Sequence, residues 1–311
     1  MKILFITRLF YPHVGGVEKH VYELGKDLTV KGENVTILTE KYDKKLKDFE
    51  TIHGMEVVRF SYPHIRFLGL IFIWLQIFRR QKLIKEADII HIHDVFIWYL
   101  PFHILFPNKK VFSTFHGWEQ KLPIPMLNII QRKLASKLSM GTISVGKYVE
   151  KYYGIKANKI IYGAADKVLN IKMIVQKEKF NVVFVGRLSK DTGLLSFLDW
   201  LDQNKKYNVD FCGGGPFQKK CEKYGTVHGF TDPAPYYKKA EYCVPGGYLA
   251  ALEALSYGCK LKLFWNNKVK EDYWKMSPFY KLKGESLKKW AKKQTWDKLA
   301  DEYLDLYNHT K

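Results

Sequence analysis

The feature that most constrains the fold is an alternation of short apolar runs with helical segments, which starts twice along the chain. The first series opens with Lys2–Ile6, then a loop containing Gly15 and Gly16, then the helical periodicity of Val17–Leu28. The second series opens with the apolar run Asn181–Val185. Continuous apolar runs of this length are typical of strands buried on both faces of a parallel sheet. The alternation therefore predicts an α/β protein with two Rossmann-like domains.

The domain boundaries follow from the chain length and from one stretch of low periodicity. A chain of 311 residues is long enough for two domains of ordinary size. Residues Lys167–Phe180 are polar, rich in lysine and not clearly periodic, so we interpret them as the linker. We predict a first domain over residues 1–168, a second over residues 169–290 and a terminal helix within residues 291–311. The apolar face of that helix consists of Trp296, Leu299, Tyr303 and Leu306.

The strongly basic composition narrows the range of partners. A formal net charge of +20 suits nucleic acid, an anionic membrane surface or phosphorylated small molecules. A lysine-rich surface that only contacts solvent is the alternative. Nucleic acid is the least favoured of these partners, because the basic residues are dispersed and no RNP, zinc-finger or helix-turn-helix signature is present.

Targeting and cysteine patterns favour a cytoplasmic protein. The N-terminal apolar run is too short for a signal peptide, and no small-residue cleavage site follows it. The longest apolar run, Phe67–Phe78, has about twelve residues, whereas a membrane span needs roughly twenty, so we expect no transmembrane helix. The cysteines lack C-x-x-C and zinc-finger spacing, which is typical of reduced thiols. They are Cys212, Cys221, Cys243 and Cys259.

The stretch Val244–Gly258 has the pattern of a strand end, a glycine turn and a helix start. Gly246 and Gly247 allow the backbone to approach a ligand closely, and the helix behind them offers unpaired N–H groups that suit a phosphate. Glu253 follows about one turn into that helix, where its carboxylate can accept hydrogen bonds from ribose hydroxyls. The alternative is a glycine-rich turn into a core helix with one satisfied glutamate.

Histidines follow two predicted strands of the first series. One strand ends in His91, His93 and Asp94, and another ends in His116 and Gly117. Open α/β sheets bind ligands at the carboxyl ends of their strands, so these side chains are candidates for a site. Histidines that only cap a strand are the alternative.

An apolar stretch of the first half carries basic residues at its ends. Ile65–Arg80 is apolar nearly all round with Arg66, Arg79 and Arg80 near its ends, and Phe96–Phe106 adds aromatic residues. This composition is typical of a helix in a membrane interface, where anionic headgroups attract lysine and arginine. A helix buried between the sheet and its neighbours is the alternative. We favour a peripheral protein on the cytoplasmic face of a membrane.

The motifs, taken in order over nearly the whole chain, resemble the GT-B glycosyltransferases and most closely glycosyltransferase family 4. The likeness depends on P-x-x-G-G-x-x-x-H (Pro12, Gly15, Gly16, His20), D-x-x-H-x-H (Asp88, His91, His93), T-x-H-G (Thr114, His116, Gly117), G-R-L (Gly186, Arg187, Leu188), G-x-G-P (Gly213, Gly215, Pro216) and L-E-A (Leu252, Glu253, Ala254). Each motif alone is weak, but their order over two Rossmann-like halves is specific.

The resemblance implies a retaining transfer of a sugar from a nucleotide-sugar, with no essential metal or other cofactor. The donor would bind the second domain, a lipid-linked or glycolipid acceptor would bind the first, and the terminal helix would return to the first domain. The implied catalytic residues are His116, Arg187 and Glu253. The implied donor-binding residues are Gly15, Gly16, Arg187, Lys190, Gly246, Gly247, Tyr248, Leu249 and Glu253. His93 and Asp94 would lie on the acceptor side.

The chain departs from the family pattern around the donor. The first glutamate of E-x7-E is replaced by Pro245, and the usual phosphate lysine is replaced by Thr192, with Lys190 two residues earlier. Three explanations are open: an active enzyme with rearranged contacts, an unusual donor, or a catalytically degenerate subunit that scaffolds a partner transferase. The presence of Arg187 and Glu253 at the positions of the family motifs argues for an enzyme.

Overall fold

The chain divides into two compact α/β units in the computed structural model, which describes residues 1–65, 68–119, 121–166 and 177–309. Unit 1 comprises Met1–Val145, Val149–Ile161 and Leu299–Lys311, and unit 2 comprises Gly146–Tyr148 and Tyr162–Lys298. The predicted boundary between residues 168 and 169 lies outside the described residues, as does most of the predicted linker. Residues 178–180 at the end of that predicted linker form the start of a strand.

Unit 1 contains an eight-stranded sheet in the order β3-β4-β2-β1-β5-β6-β7-β8. All neighbouring strands pair in parallel except β3 and β4, so the antiparallel strand lies at one edge. The central strand β1 is buried beyond its first residue, as its apolar run predicts. The strands are β1 Lys2–Thr7, β2 Asn34–Glu40, β3 Phe49–Ile52, β4 Met55–Phe60, β5 Ile89–His93, β6 Lys110–Phe115, β7 Gly141–Val145 and β8 Lys159–Ile161.

The helices of unit 1 bury one face each against this sheet or against each other. In α1 the buried side chains include Val21, Leu24 and Leu28, the apolar face that the helical periodicity predicts. Strand β5 ends at His93, so His91 and His93 lie within the strand and Asp94 follows it. The helices before unit 2 are α1 Gly16–Val30, α2 Leu68–Arg79, α3 Gln81–Glu86, α4 Phe96–Leu105, α5 Met126–Leu138 and α6 Tyr148–Tyr153.

Helix α2 is only partly buried, although its sequence is apolar nearly all round. It buries Gly69, Ile73 and Ile77, which recur at helical spacing. Its exposed large apolar side chains are Leu68, Ile71, Phe72, Leu75 and Phe78. Arg66, which flanks the helix in the sequence, lies outside the described residues. Within the described ranges, no helix is both long and apolar enough to cross a membrane.

Unit 2 contains a five-stranded parallel sheet in the order β11-β10-β9-β12-β13. Its core joins the sheet to α7 through Phe184, Phe197 and Phe211. All four cysteines of the chain lie buried in this unit as free thiols. The strands are β9 Glu178–Val185, β10 Asn208–Cys212, β11 Thr226–Gly229, β12 Ala240–Pro245 and β13 Lys260–Leu261. The helices are α7 Leu194–Gln203, α8 Gln218–Cys221, α9 Ala234–Lys239, α10 Tyr248–Ser256, α11 Lys268–Lys275, α12 Pro278–Lys281 and α13 Gly284–Ala291.

The last helix, α14, spans Trp296–His309, and its residues from Leu299 onward are counted with unit 1. Tyr303 and Tyr307 are buried in that unit. Residues 310 and 311 of the predicted terminal helix lie outside the described residues.

Candidate functional site

Three glycine turns of unit 2 lie side by side at the carboxyl ends of β9, β10 and β12. Gly186 donates its amide to the carbonyl of Cys212 (3.1 Å), and Gly246 donates to that of Val185 (2.7 Å). A Cβ atom on Gly213 would lie 1.9 Å from the carbonyl oxygen of Gly186, and one on Gly246 would lie 3.0 Å from the Cα of Gly186. These contacts require glycine, because any side chain would separate the three turns.

Arg187 and its loop follow the first of these turns. The Arg187 guanidinium is 54% exposed and donates to Asp191 Oδ2 at 2.7 Å. Thr192, which replaces the usual lysine, is buried and donates its hydroxyl to the carbonyl of Ser189 at 2.7 Å. Lys190 is exposed on the 3₁₀ turn Lys190–Thr192. The loop therefore presents one arginine beside the glycine turns, while Thr192 stabilises the loop itself.

Tyr248 and Tyr273 form a hydrogen-bonded, stacked pair at the start of α10. The Tyr248 amide donates to Tyr273 Oη at 2.7 Å, and Tyr248 Oη donates to the Tyr273 carbonyl at 2.6 Å. The two rings stack with centroids 3.8 Å apart. One of the amides that the sequence assigns to phosphate is thus already bonded within unit 2. Gly247, the N-cap, and Leu249 flank Tyr248 in the same turn.

Lys270 on α11 is a site residue that the motifs do not indicate. It is 3% exposed, and its Nζ donates to the Gly246 carbonyl at 2.8 Å. The ammonium also lies over the rings of Tyr273 (4.0 Å) and Trp274 (4.8 Å). The sequence around it resembles a solvated lysine-rich helix. The signal that could have revealed it is spacing, since Tyr273 and Trp274 follow at i+3 and i+4 on the same helix face.

The protonation state of Lys270 depends on burial and on two charged residues of the loop that follows β9. Burial lowers the pKa of Lys270 to about 7, while Asp191 acts to raise the pKa and Arg187 acts to lower it. Burial disfavours an ammonium unless an anion is near. Lys270 therefore lies close to the point where it gains or loses its proton at neutral pH.

Glu253 lies on α10, about two turns from the glycine turn. Its side chain is half-buried, and Tyr237 Oη on α9 donates to Glu253 Oε2 at 3.4 Å, a long hydrogen bond. Tyr237 also donates to the Ala250 carbonyl at 3.3 Å. The carboxylate is therefore partly engaged within unit 2, and its role toward a ribose stays a prediction.

Unit 1 brings together four histidines that contact one another or a shared partner: the buried His20, His91 and His93 and the half-buried His116. His93 Nδ1 lies 2.9 Å from His116 Nε2, so one of the two nitrogens carries the proton of that hydrogen bond. The rings of His20 and His116 meet edge to face at 4.7 Å. Gly15 and Gly16 open α1, which carries His20.

Two tyrosines of α14 complete the histidine cluster. Tyr303 Oη lies 3.0 Å from His20 Nε2 and 2.9 Å from Thr114 Oγ1. Thr114 Oγ1 lies 2.7 Å from His91 Nε2, and Tyr307 Oη lies 2.8 Å from His91 Nδ1. These contacts form one continuous chain of hydrogen bonds. The apolar periodicity of α14 predicts that Tyr303 is buried, but it does not predict which residues Tyr303 contacts.

Burial keeps the four histidines neutral. Desolvation, followed by repulsion from Arg132, lowers the pKa of His116 to about 3. Desolvation is also the main cause that lowers the pKa of His20, His91 and His93 well below the usual value. A neutral imidazole offers one donor and one acceptor rather than a charge. Among the described residues, no group of three or more His, Cys, Asp or Glu side chains is arranged to hold a metal ion.

Asp94 supports the loop that carries His116. Its backbone has φ of +62°, a conformation that aspartate tolerates better than most residues. Asp94 Oδ1 accepts the His116 amide at 3.0 Å, and Arg132 lies 3.7 Å from the same oxygen. The predicted acceptor-side residues His93 and Asp94 therefore both contact His116.

Residues 14–163 match the family model described as Glycosyltransferase Family 4. No curated protein matches significantly. Several solved structures are similar over almost their full length. Sucrose-phosphate synthase from Thermosynechococcus elongatus has a TM-score of 0.75 at 16% identity, with 99% of this chain and 98% of that chain covered.

Two further structures give the same fold. HepE from Anabaena, in complex with UDP and glucose, has a TM-score of 0.66 at 14% identity, covering 98% of this chain and 99% of that chain. The lipopolysaccharide outer core galactosyltransferase WaaB has a TM-score of 0.65 at 14% identity, covering 99% of each. The predicted two-domain α/β architecture of the GT-B type is thereby confirmed.

Proposed function

We propose that this chain, a glycosyltransferase of the GT-B fold that resembles family 4, transfers a sugar from a nucleotide diphosphate to a lipid-linked or glycolipid acceptor with retention. The observation that supports the donor half is the row of glycine turns beside Arg187 at the carboxyl edge of the unit 2 sheet. Open α/β sheets bind ligands at that edge. A cation and close backbone there can stabilise the diphosphate as the sugar leaves.

The donor contacts are proposed from the geometry of unit 2. Arg187 would bind the diphosphate together with amides of the Gly246–Leu249 turn, and Glu253 would bind the ribose. Because Tyr248 already donates to Tyr273, the turn would use its other amides or release that tyrosine. In unit 1, a neutral His116 would orient a sugar or acceptor hydroxyl by hydrogen bonding, since it carries no charge to offer.

The acceptor is proposed to be held at a membrane by an apolar helix face of unit 1. Helix α4 contacts both α2 and α5, so the three helices are neighbours. The exposed apolar side chains of this helix face are Leu68, Ile71, Phe72, Leu75 and Phe78 of α2, Ile104 and Leu105 of α4, and Met126, Leu127, Ile130 and Leu134 of α5. A contiguous exposed apolar patch marks an interaction surface.

The charge around the apolar helix face favours an anionic lipid surface. Residues 57–85, 95–118 and 120–149 contain no aspartate or glutamate. Exposed basic residues on or near the three helices include Arg79, Lys82, Lys133 and Lys137. Anionic headgroups attract such residues at about 1 kcal/mol each near the surface. We place the protein on the cytoplasmic face, where anionic lipids concentrate.

Ligand-induced stabilisation tests the donor half. The melting temperature would be measured with UDP, GDP, dTDP, ADP and their common sugar conjugates, with uridine and adenosine as controls lacking phosphate. A ligand at a hundred times its Kd stabilises the folded state by about 2.7 kcal/mol. We expect a clear shift with one base and none with the nucleosides at equal concentration. No shift with any diphosphate in a folded sample would contradict the proposal.

We also propose that transfer needs no divalent metal, because protein cations would neutralise the leaving diphosphate. Donor turnover would be measured after EDTA treatment and again after Mg²⁺ or Mn²⁺ is restored. Equal rates are expected. A loss with EDTA that either ion reverses would contradict this part.

A further inference from the structure

We propose that Lys270 orients the Gly246–Gly247 peptide toward the donor diphosphate and supplies the positive charge that Thr192 lacks. This inference rests on the proposed function, because it assumes that the diphosphate binds at the glycine turns. Near the motifs, Lys190 is the candidate to replace the usual phosphate lysine, and its side chain is exposed on a 3₁₀ turn. Lys270 comes from a different element, α11, and contacts the turn directly.

The hydrogen bond from Lys270 determines the direction of one peptide group. Lys270 Nζ holds the carbonyl oxygen of Gly246 at 2.8 Å. In a planar trans peptide the carbonyl and the following N–H point in opposite directions. The Gly247 N–H is therefore aimed away from Lys270. A cation on the carbonyl also polarises the peptide and strengthens that N–H as a donor.

Lys270 forms no direct ion pair with any carboxylate in the described part of the chain. Among the described residues, no carboxylate lies within ion-pairing distance of its Nζ, and its polar contact is one carbonyl beside two aromatic faces. The charged groups that face it from outside α11 are Asp191 and Arg187, which form an ion pair with each other. Burying an unpaired ammonium costs stability. A diphosphate that accepts the Gly247 N–H would lie across the peptide from Lys270, and its negative charge would favour the charged form of the lysine.

Binding of nucleotide to matched variants tests this role. Lys270→Met removes the charge at similar length, Lys270→Arg keeps it, and Lys268→Met removes a 66% exposed charge from the same helix. Affinity would be measured calorimetrically for the diphosphate that stabilises the wild type and for its nucleoside. We expect Lys270→Met to weaken the diphosphate by about threefold to tenfold, the worth of one peptide hydrogen bond that is no longer oriented. Nucleoside affinity and the Lys268→Met variant should match wild type, and Lys270→Arg should recover part of the loss.

The pH dependence gives a second, independent measurement on the wild type. The ligand for this measurement is the nucleotide-sugar, whose diesterified phosphates keep a constant charge above pH 7, while Lys270 with its lowered pKa loses its proton. Wild-type affinity for the nucleotide-sugar should fall over this range, and proton uptake on binding should be measurable by calorimetry in buffers of different ionisation enthalpy. In Lys270→Met both effects should disappear.

The outcomes separate the two proposals. If the wild type binds a diphosphate but Lys270→Met binds it equally well with the same pH dependence, the role of Lys270 is wrong and the donor site stands. If the wild type binds no diphosphate, both proposals fail. Should Lys270→Met not fold, a flat wild-type pH profile without proton uptake would still overturn the inference.

Discussion

At the scale of single residues, the proposed donor site consists of side chains whose partners lie within unit 2. The Arg187 guanidinium forms an ion pair with Asp191, and the Thr192 hydroxyl donates a hydrogen bond to the loop backbone. The Glu253 carboxylate is half-buried and accepts a long hydrogen bond from Tyr237. Its proposed role is to accept hydrogen bonds from two ribose hydroxyls.

Removal of the Glu253 carboxylate should lower donor use. For Glu253→Ala we expect kcat/KM toward the nucleotide-sugar to fall by about tenfold to a hundredfold, the worth of hydrogen bonds to a charged group. The exposed Glu285→Ala on α13 is the matched control and should leave kcat/KM unchanged. A donor with 2′-deoxyribose should show a smaller effect of the same substitution. Equal activity of Glu253→Ala and wild type would mean that the residue is a satisfied core glutamate.

At the scale of elements, α2 shows how one helix can serve both a core and a surface. Ile73 and Ile77 are buried toward unit 1, whereas Leu75 and Phe78 are about half exposed on other sides. Burial of apolar surface stabilises the fold, but exposed apolar surface of this extent does not. The exposed side chains of α2 are therefore better explained by an interaction than by folding.

Two charges placed on that exposed side should abolish membrane binding without unfolding the chain. Leu75→Glu with Phe78→Glu should reduce binding to phosphatidylglycerol vesicles to the level seen with phosphatidylcholine, as measured by flotation. The control pair, Val30→Glu with Phe49→Glu, alters exposed apolar residues elsewhere in unit 1 and should bind normally. Wild-type binding should weaken at high salt, because exposed charges are screened. A wild type that remains unbound on anionic vesicles would refute membrane association.

At the scale of the whole molecule, a strongly basic chain keeps a cluster of neutral histidines inside one of its two units. The four imidazoles, Thr114 and two tyrosines of α14 form two hydrogen-bonded groups, and desolvation disfavours a proton added to any of the imidazoles. The cluster therefore couples the unfolding of unit 1 to pH.

Acid should destabilise the chain from about pH 6.5 downward. In the folded state the pKa values of the four histidines are lowered, to about 3 for His116, so the unfolded chain takes up protons first. The histidine contribution to the free energy of unfolding is then constant above about pH 6.5 and falls below it, by as much as ~1.4 kcal/mol per pH unit for each histidine. Urea unfolding from pH 5 to 8 measures this. His116→Gln should reduce the slope, whereas His309→Gln, an exposed histidine, should not. A slope unchanged by His116→Gln would contradict the assignment.

Much of the architecture could be predicted from local patterns. Strand β1, the helical face of α1 and the glycine turns after β9, β10 and β12 all follow from periodicity and from residues that only a turn accepts. These signals involve neighbours along the chain, so a single sequence carries them. The order of the motifs then indicated the GT-B fold.

The chemistry of the two candidate sites was decided by tertiary structure. Tyr303 meets His20 across 283 residues, and Lys270 meets Gly246 across 24. The spacing of Tyr273 and Trp274 hints that Lys270 lies on an aromatic face, but the sequence does not indicate that a glycine turn packs against it. Desolvation by burial lowers the pKa of Lys270 and of the histidines, and burial is a property of the assembled unit rather than of any segment.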